Sequence, residues 1–230
     1  MFFAKGIIFV EGISEAILLP EIAKILDRPL EKYAVELVNV DSVAFSPFVN
    51  LFSSQNVQTC FSKVAIVTDD DRCTKKNETN YINKDFDYDD VNSDISGKLL
   101  SGTPSERCNE LETLCRAVGI NVFKATKTLE YALCCDENNI EYFIEAIKSE
   151  YSQLGPALEQ KVNSLHDMNE KAACVWLFIR AREKCKGAIA QYISQIIKKQ
   201  CEMRKRGENI EKEFVIPDYL KEAVYCVTER

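Results

Sequence analysis

Four short runs rich in β-branched and aromatic residues, each followed by a stretch with helical character, limit what this chain can fold into more than any other feature. They are GIIFV at 6–10, VELVNV at 35–40, VAIVT at 64–68 and INVF at 120–123. Their apolar character is near-continuous, the pattern of strands buried on both faces of a largely parallel sheet. Ser14 to Leu26 has the apolar period of a helix, Val43 to Phe52 is a shorter candidate, and Ser105 to Val118 opens with a capping residue and early glutamates. The resulting β-α-β-α-β-α-β order predicts an α/β layer fold with right-handed crossovers. Residues 72–104, including KKNETNYINKDFDYDD, interrupt it with a polar stretch that reads as a long loop or small subdomain inserted in the domain. After about residue 136 the strand signal ends. Helical periods occupy 138–151, 155–165, 168–182 and 186–205, and a last short helix follows Pro217. The expected organisation is an α/β domain over 1–136 and an all-helical region over 137–230.

Hydrophobic residues make up 46% of the chain and charged residues 28%, ordinary for a globular protein, and no segment has the roughly 20 consecutive apolar residues of a membrane span. The opening MFFAKGIIFVEG lacks a basic leader and a small-residue cleavage site, so no signal peptide is expected. Ten cysteines without a C-x-x-C pair, beside the single His166, argue against structural zinc and a disulfide framework, and suggest the reduced thiols of a cytoplasmic protein. Asp85, Asp87 and Asp89 have the opening spacing of a calcium loop. That match fails at Asp90, where glycine is needed, and at Ser96, where glutamate is needed.

Chemistry concentrates at strand ends. The first strand runs into V-E-G-I-S-E, with Glu11 at its carboxyl end and Glu15 about one helical turn later. The third ends in T-D-D-D, where extended geometry would send Asp69 and Asp71 to one side and Asp70 to the other. Glu130 follows the fourth strand in K-T-L-E-Y. Open α/β sheets build their sites at this edge. Carboxylates converging without local basic partners repel one another and call for a multivalent cation, and hard oxygen ligands select Mg²⁺ or Mn²⁺. Two such ions suit phosphoryl transfer. The net charge of −7 hides an uneven distribution: 180–206 is strongly basic, and Arg180, Lys184, Lys198 and Lys199 are the expected contacts to a DNA backbone.

These residues resemble the Toprim module shared by topoisomerases, primases and OLD (overcoming lysogenization defect) nucleases, which has a glutamate after its first strand and D-x-D after its third. Here those are Glu11 and Asp69 with Asp71. The chain is most similar to the OLD nucleases, through V-E-G-I-S-E-A-I-L-L-P, V-N-V-D-S-V-A-F with the following F-x-x-L-F, V-T-D-D-D, T-L-E and K-G-A-I-A, from residue 5 to about 195. The resemblance implies a Toprim-type, Rossmann-like sheet flanked by helices and followed by a helical region, and metal-dependent DNA cleavage of the phage-defence type. It implies Glu11, Glu15, Asp69, Asp71 and Glu130 as ligands of two Mg²⁺ or Mn²⁺ ions, Glu11 and Lys186 as catalytic groups, and an N-terminal ABC-type ATPase with a dimerisation region as partners. The chain opens at the first Toprim strand, so it reads as an excised fragment or a stand-alone half. A homo-oligomer is the expected full-length form. The competing expectation is a Toprim-like regulatory or DNA-binding module without catalysis of its own. A primase or topoisomerase fragment is disfavoured by the second glutamate of V-E-G-I-S-E and the absence of accessory regions.

Overall fold

The computed structural model describes residues 4–52, 63–75 and 80–229. The four apolar runs form a parallel sheet, β1 (Gly6–Val10), β2 (Val35–Asn39), β3 (Lys63–Asp69) and β4 (Asn121–Ala125), in the order β2-β1-β3-β4. Ile8 lies between Leu37 on one side and Ala65 on the other, so β1 and β3 are the central strands. The chain leaves β1 to build β2 on one flank and returns to build β3 on the other. The strand order therefore switches between β1 and β3, and open α/β folds have a crevice at the carboxyl end of such a switch.

Both faces of the central strands β1 and β3 are buried, which explains why they are apolar along nearly their whole length, while the edge strands β2 and β4 are partly exposed. One face, through Ile7, Phe9, Val64 and Ile66, packs on Phe45, Val49, Leu111 and Cys115 from the short helix α2 (Ser46–Asn50), its approach, and helix α4 (Glu106–Ala117). The other, through Ile8, Val10, Ala65 and Val67, shares one continuous core with α1 (Ile13–Ile25) and the C-terminal helices. Those helices are α6 (Glu137–Glu150), α7 (Leu154–Ser164), α8 (Met168–Ala181), α9 (Lys186–Lys205) and α10 (Asp218–Thr228). No strand occurs beyond residue 125 among the described residues.

Three local expectations change. The candidate helix at 43–52 contracts to α2, and a short helix not foreseen, α5 (Leu129–Cys134), follows β4 under a Thr128 cap whose Oγ1 accepts from the Tyr131 amide at 3.3 Å. The polar stretch 72–104 also carries α3 (Ser93–Ser101), capped by Asn92, after a tight turn at 88–90. Arg182 fixes that turn, donating to both carboxylate oxygens of Asp87 at 2.9 and 2.8 Å while stacking 4.0 Å from the Phe178 ring centroid.

Helix α10 runs against the strand direction. Its last turn sits at the amino ends of the strands, where Lys63 Nζ donates to the Glu229 carbonyl at 2.7 Å and Gly6 abuts the Val227 carbonyl. An 11-residue helix is roughly 16 Å long, so its first turn reaches toward the carboxyl edge. No described helix is long and apolar enough to cross a membrane, and no disulfide joins the described cysteines. Cys60 lies outside the described residues.

Candidate functional site

Strand ends bring the acids together. Glu11, directly after β1, accepts from Thr68 Oγ1 at 2.5 Å and lies 3.4 Å from the Asp69 amide, so the ends of the two central strands are tied through a carboxylate. Asp69 in turn accepts from the Leu129 amide at 2.8 Å, which draws the start of α5, and Glu130 with it, to β3. Ser14, in the first turn of α1, points its hydroxyl at Glu130 Oε1 at 3.5 Å. Glu15 is buried one residue further on.

Asp70 belongs elsewhere. It is 2% exposed, binds Arg72 through Nε and Nη2 at 2.8 and 2.6 Å, and accepts from the Lys127 amide at 2.9 Å. Lys127 is itself left-handed at φ 63° and its ammonium is bound by the Arg72 carbonyl at 2.6 Å. Asp70 is thus the clasp that holds the loop after β4 to the loop after β3. The extended geometry expected for the three aspartates does not persist: Asp71 adopts a left-handed φ of 50° and pairs with Arg107, which also approaches Glu11.

The electrostatics match this crowding. Burial and the neighbouring Glu130 raise the Glu15 carboxyl from its ordinary 4.5 to about 7. Burial, then Glu15, Glu130, Glu11 and Asp71, hold Asp69 well above the usual carboxylate range. Lys186, at the first position of α9, has its ammonium 3.8 Å from Glu130 Oε1, and that carboxylate keeps it protonated above its ordinary range. Among the described residues no three acidic, cysteine or histidine side chains stand close enough together to enclose one ion. The donor set still suits a hard cation: it is all oxygen, and the repulsion raising Glu15 and Asp69 is what a divalent charge relieves.

Two groups at this edge escape a reading of the sequence. Arg107, from α4, gives the acids a basic partner they were expected to lack: its Nη2 is 2.6 Å from Asp71 Oδ2 and 3.8 Å from Glu11 Oε2. Tyr219, in the first turn of α10, has a buried hydroxyl with no hydrogen-bond partner among the described residues. Burial, with Asp69, Glu15 and Glu130 nearby, keeps that hydroxyl un-ionised. Nothing in the spacing of either residue marks it.

The expected DNA contacts divide. Arg180 is engaged within the fold: its Nη2 donates to the Asn83 and Phe86 carbonyls at 2.9 and 2.7 Å and its guanidinium stacks 4.7 Å from the Trp176 ring centroid, so it secures the inserted segment. Lys184 is exposed close to Lys186 in sequence, just before α9. Lys198 and Lys199 are exposed but lie more than three turns along α9, roughly 18 Å from Lys186. Lys198 there lines a recess with Glu21, Asp27 and Glu31.

Comparison with known proteins agrees with this architecture. Residues 2–71, which include four of the five acids, match the family model for the TOPRIM domain of overcoming lysogenization defect protein-like proteins. No curated protein matches the chain in sequence. Among solved structures, the C-terminal region of the Xanthomonas campestris pv. campestris OLD protein, phased with iodine, aligns over 100% of this chain and 96% of its own, with a TM-score of 0.59 and 21% identity. The C-terminal region of the Burkholderia pseudomallei OLD protein aligns over 98% and 97%, with a TM-score of 0.56 and 22% identity. The chain contains an OLD-like Toprim region and has, over its length, the fold of OLD C-terminal regions.

Proposed function

We propose that this OLD-like Toprim region is the catalytic part of a metal-dependent DNA endonuclease or nickase. The observation that carries the reading is the juxtaposition, at the switch point of the sheet, of Glu11, Asp69 and Glu130 with the protonated Lys186. Glu11, Glu15, Asp69, Asp71 and Glu130 would hold Mg²⁺ or Mn²⁺, two ions in the full site. Bound there, such ions supply Lewis-acid stabilisation of the attacking and leaving oxygens of a phosphodiester.

The protein's own groups divide the remaining work. Thr68 and the Asp69 amide orient Glu11, and the Leu129 amide orients Asp69, so the ligands are held by backbone and strand-end contacts on rigid elements. Lys186 carries a fixed positive charge at neutral pH, which qualifies it to meet the negative charge growing on phosphoryl oxygens and not to act as a base. Lys184 extends that positive edge toward the DNA backbone. In the complete protein the region would answer to an ABC-type ATPase and work as an oligomer in the cytoplasm against phage DNA.

One observation favours the alternative, a regulatory or DNA-binding module without catalysis: Asp71 is already neutralised by Arg107. A plasmid assay separates the two. Supercoiled DNA incubated with the purified chain should be nicked or linearised in Mg²⁺ or Mn²⁺ and left intact in EDTA, and Asp69→Ala should abolish cutting. Binding without cutting under every metal would establish the module instead.

A further inference from the structure

We propose that Arg107 is a phosphate-binding residue of this site: it neutralises Asp71 and Glu11 while no divalent ion is bound, and turns its guanidinium to a non-bridging phosphate oxygen once the site is loaded. The inference rests on the nuclease reading and assigns a residue to it.

The position of Arg107 is fixed by the acid turn itself. The Ser105 amide donates to the Asp70 carbonyl at 2.8 Å, and Ser105 Oγ caps α4 by accepting from the Cys108 amide at 3.3 Å. The first turn of α4 is therefore bolted to the residue between the two site aspartates. From there Arg107 Nη2 donates to Asp71 Oδ2 at 2.6 Å and to the Asp69 carbonyl at 3.2 Å, with Glu11 Oε2 3.8 Å away. Its Nη1 is buried and has no hydrogen-bond partner among the described residues.

That unused terminal nitrogen distinguishes Arg107 from Arg182 and Arg72, whereas Arg180 leaves only its Nε without a partner among the described residues. Arg182 grips both oxygens of Asp87, and Arg72 distributes Nε, Nη1 and Nη2 over Asp70 and the Leu99 carbonyl. Arg107 engages its carboxylate through Nη2 alone, and its buried Nη1 becomes available to a ligand only when the guanidinium turns. A guanidinium is permanently charged and presents two parallel donors that match a phosphate. The side chain is 28% exposed, so it is reachable from the solvent side of the site. A divalent ion bound by Asp71 and Glu11 would repel the guanidinium and weaken its hold on Asp71, leaving it free to turn to the substrate.

Two readouts of opposite sign test this. With the full chain, Mn²⁺ affinity is measured by calorimetry, binding of a fluorescent 20-base-pair duplex in Ca²⁺ by anisotropy, and plasmid cleavage in Mn²⁺ by gel. Removing a cation about 4 Å from the ligands should tighten Mn²⁺ binding in Arg107→Ala by roughly fivefold or more, while cleavage falls by roughly 10². Arg107→Lys should restore duplex binding but not the cleavage rate, because the paired donors are lost. If Arg107→Ala melts well below wild type, Arg107→Gln, which keeps the stem and an amide donor, carries the same comparison. Weaker Mn²⁺ binding in the variants alongside weaker cleavage would make Arg107 only a support for Asp71, and wild-type cleavage would remove it altogether. Either result, with an active wild type, overturns the role of Arg107 alone. A wild type that neither binds Mn²⁺ nor cuts DNA overturns the nuclease reading, and the role of Arg107 with it.

Discussion

Replacing Glu15 with glutamine should make the protein more stable at pH 8 in EDTA while weakening its divalent-ion binding. Glu15 is 7% exposed, and burial with Glu130 beside it raises its carboxyl from 4.5 to about 7. The folded chain therefore binds the Glu15 proton more tightly than the unfolded chain does. The sign follows: wherever the folded state holds more protons, stability falls as pH rises. The loss begins near the unfolded value of 4.5 and is complete once pH exceeds about 7. At 1.36 kcal/mol per pH unit the interval corresponds to about 3 kcal/mol, and for a chain of this size that is roughly 6–12 °C in melting temperature. Glutamine keeps the shape and cannot ionise, so Glu15→Gln should lose that part of the pH dependence. Thermal melts at pH 4.5, 6 and 8 in EDTA, with and without excess Mn²⁺, measure it. The wild type should recover stability in Mn²⁺ at pH 8, by about 2.7 kcal/mol at one hundred times the dissociation constant, and Glu15→Gln should recover less. Parallel melting curves for the two proteins across the pH range would refute the argument, because the strain would then not reside at Glu15.

Lys186→Ala should reduce plasmid cleavage by roughly 10² with the fold intact, read by gel and circular dichroism; if Lys184→Ala is the inactive variant instead, the lysine is misassigned. Tyr219→Phe should raise stability in EDTA by about 1–2 kcal/mol in chemical denaturation, since it removes a buried hydroxyl that has no partner. Arg180→Ala should leave duplex affinity at low salt unchanged but speed proteolysis within the 80–90 segment, because its guanidinium holds Asn83 and Phe86 carbonyls. Lys198→Ala should change duplex affinity less than Lys184→Ala, in keeping with its distance along α9 and its acidic neighbours.

The sheet was legible because strands buried on both faces leave no polar alternation to confuse with a surface helix, and GIIFV and VAIVT were read to within a residue or two of β1 and β3. Glu11, Asp69 and Glu130 were legible as acids just beyond such strands. Arg107 and Tyr219 were not, for a common reason: each enters from a helix whose register against the sheet is fixed by tertiary packing, and each occupies an unremarkable helical position in the sequence. The contacts of Arg180 within the fold were not legible, because a count of positive charges cannot distinguish a guanidinium facing solvent from one capping carbonyls. Lys198 and Lys199 follow from helix geometry: residues close in a basic run are carried apart by 1.5 Å per residue. The helix within 72–104 was hidden because α3 is only nine residues long and follows a polar run.

The direction of α10 bears on how the chain must be made. Its Leu220, Ala223, Val224 and Val227 cover the sheet face formed by Ile8, Val10, Ala65 and Val67, which belongs to the first third of the sequence. At the usual 5–20 residues per second, synthesis of the roughly ninety residues after 136 takes about 5 to 20 s, and during that time part of this apolar face waits for its last cover. The nascent sheet is then a client for chaperones, and a fragment ending at residue 136 should aggregate when expressed alone, which sedimentation of the cell lysate would reveal. A ribosome stalled before residue 218 would leave the same face without α10, so this eleven-residue helix sets the moment at which the sheet face is covered.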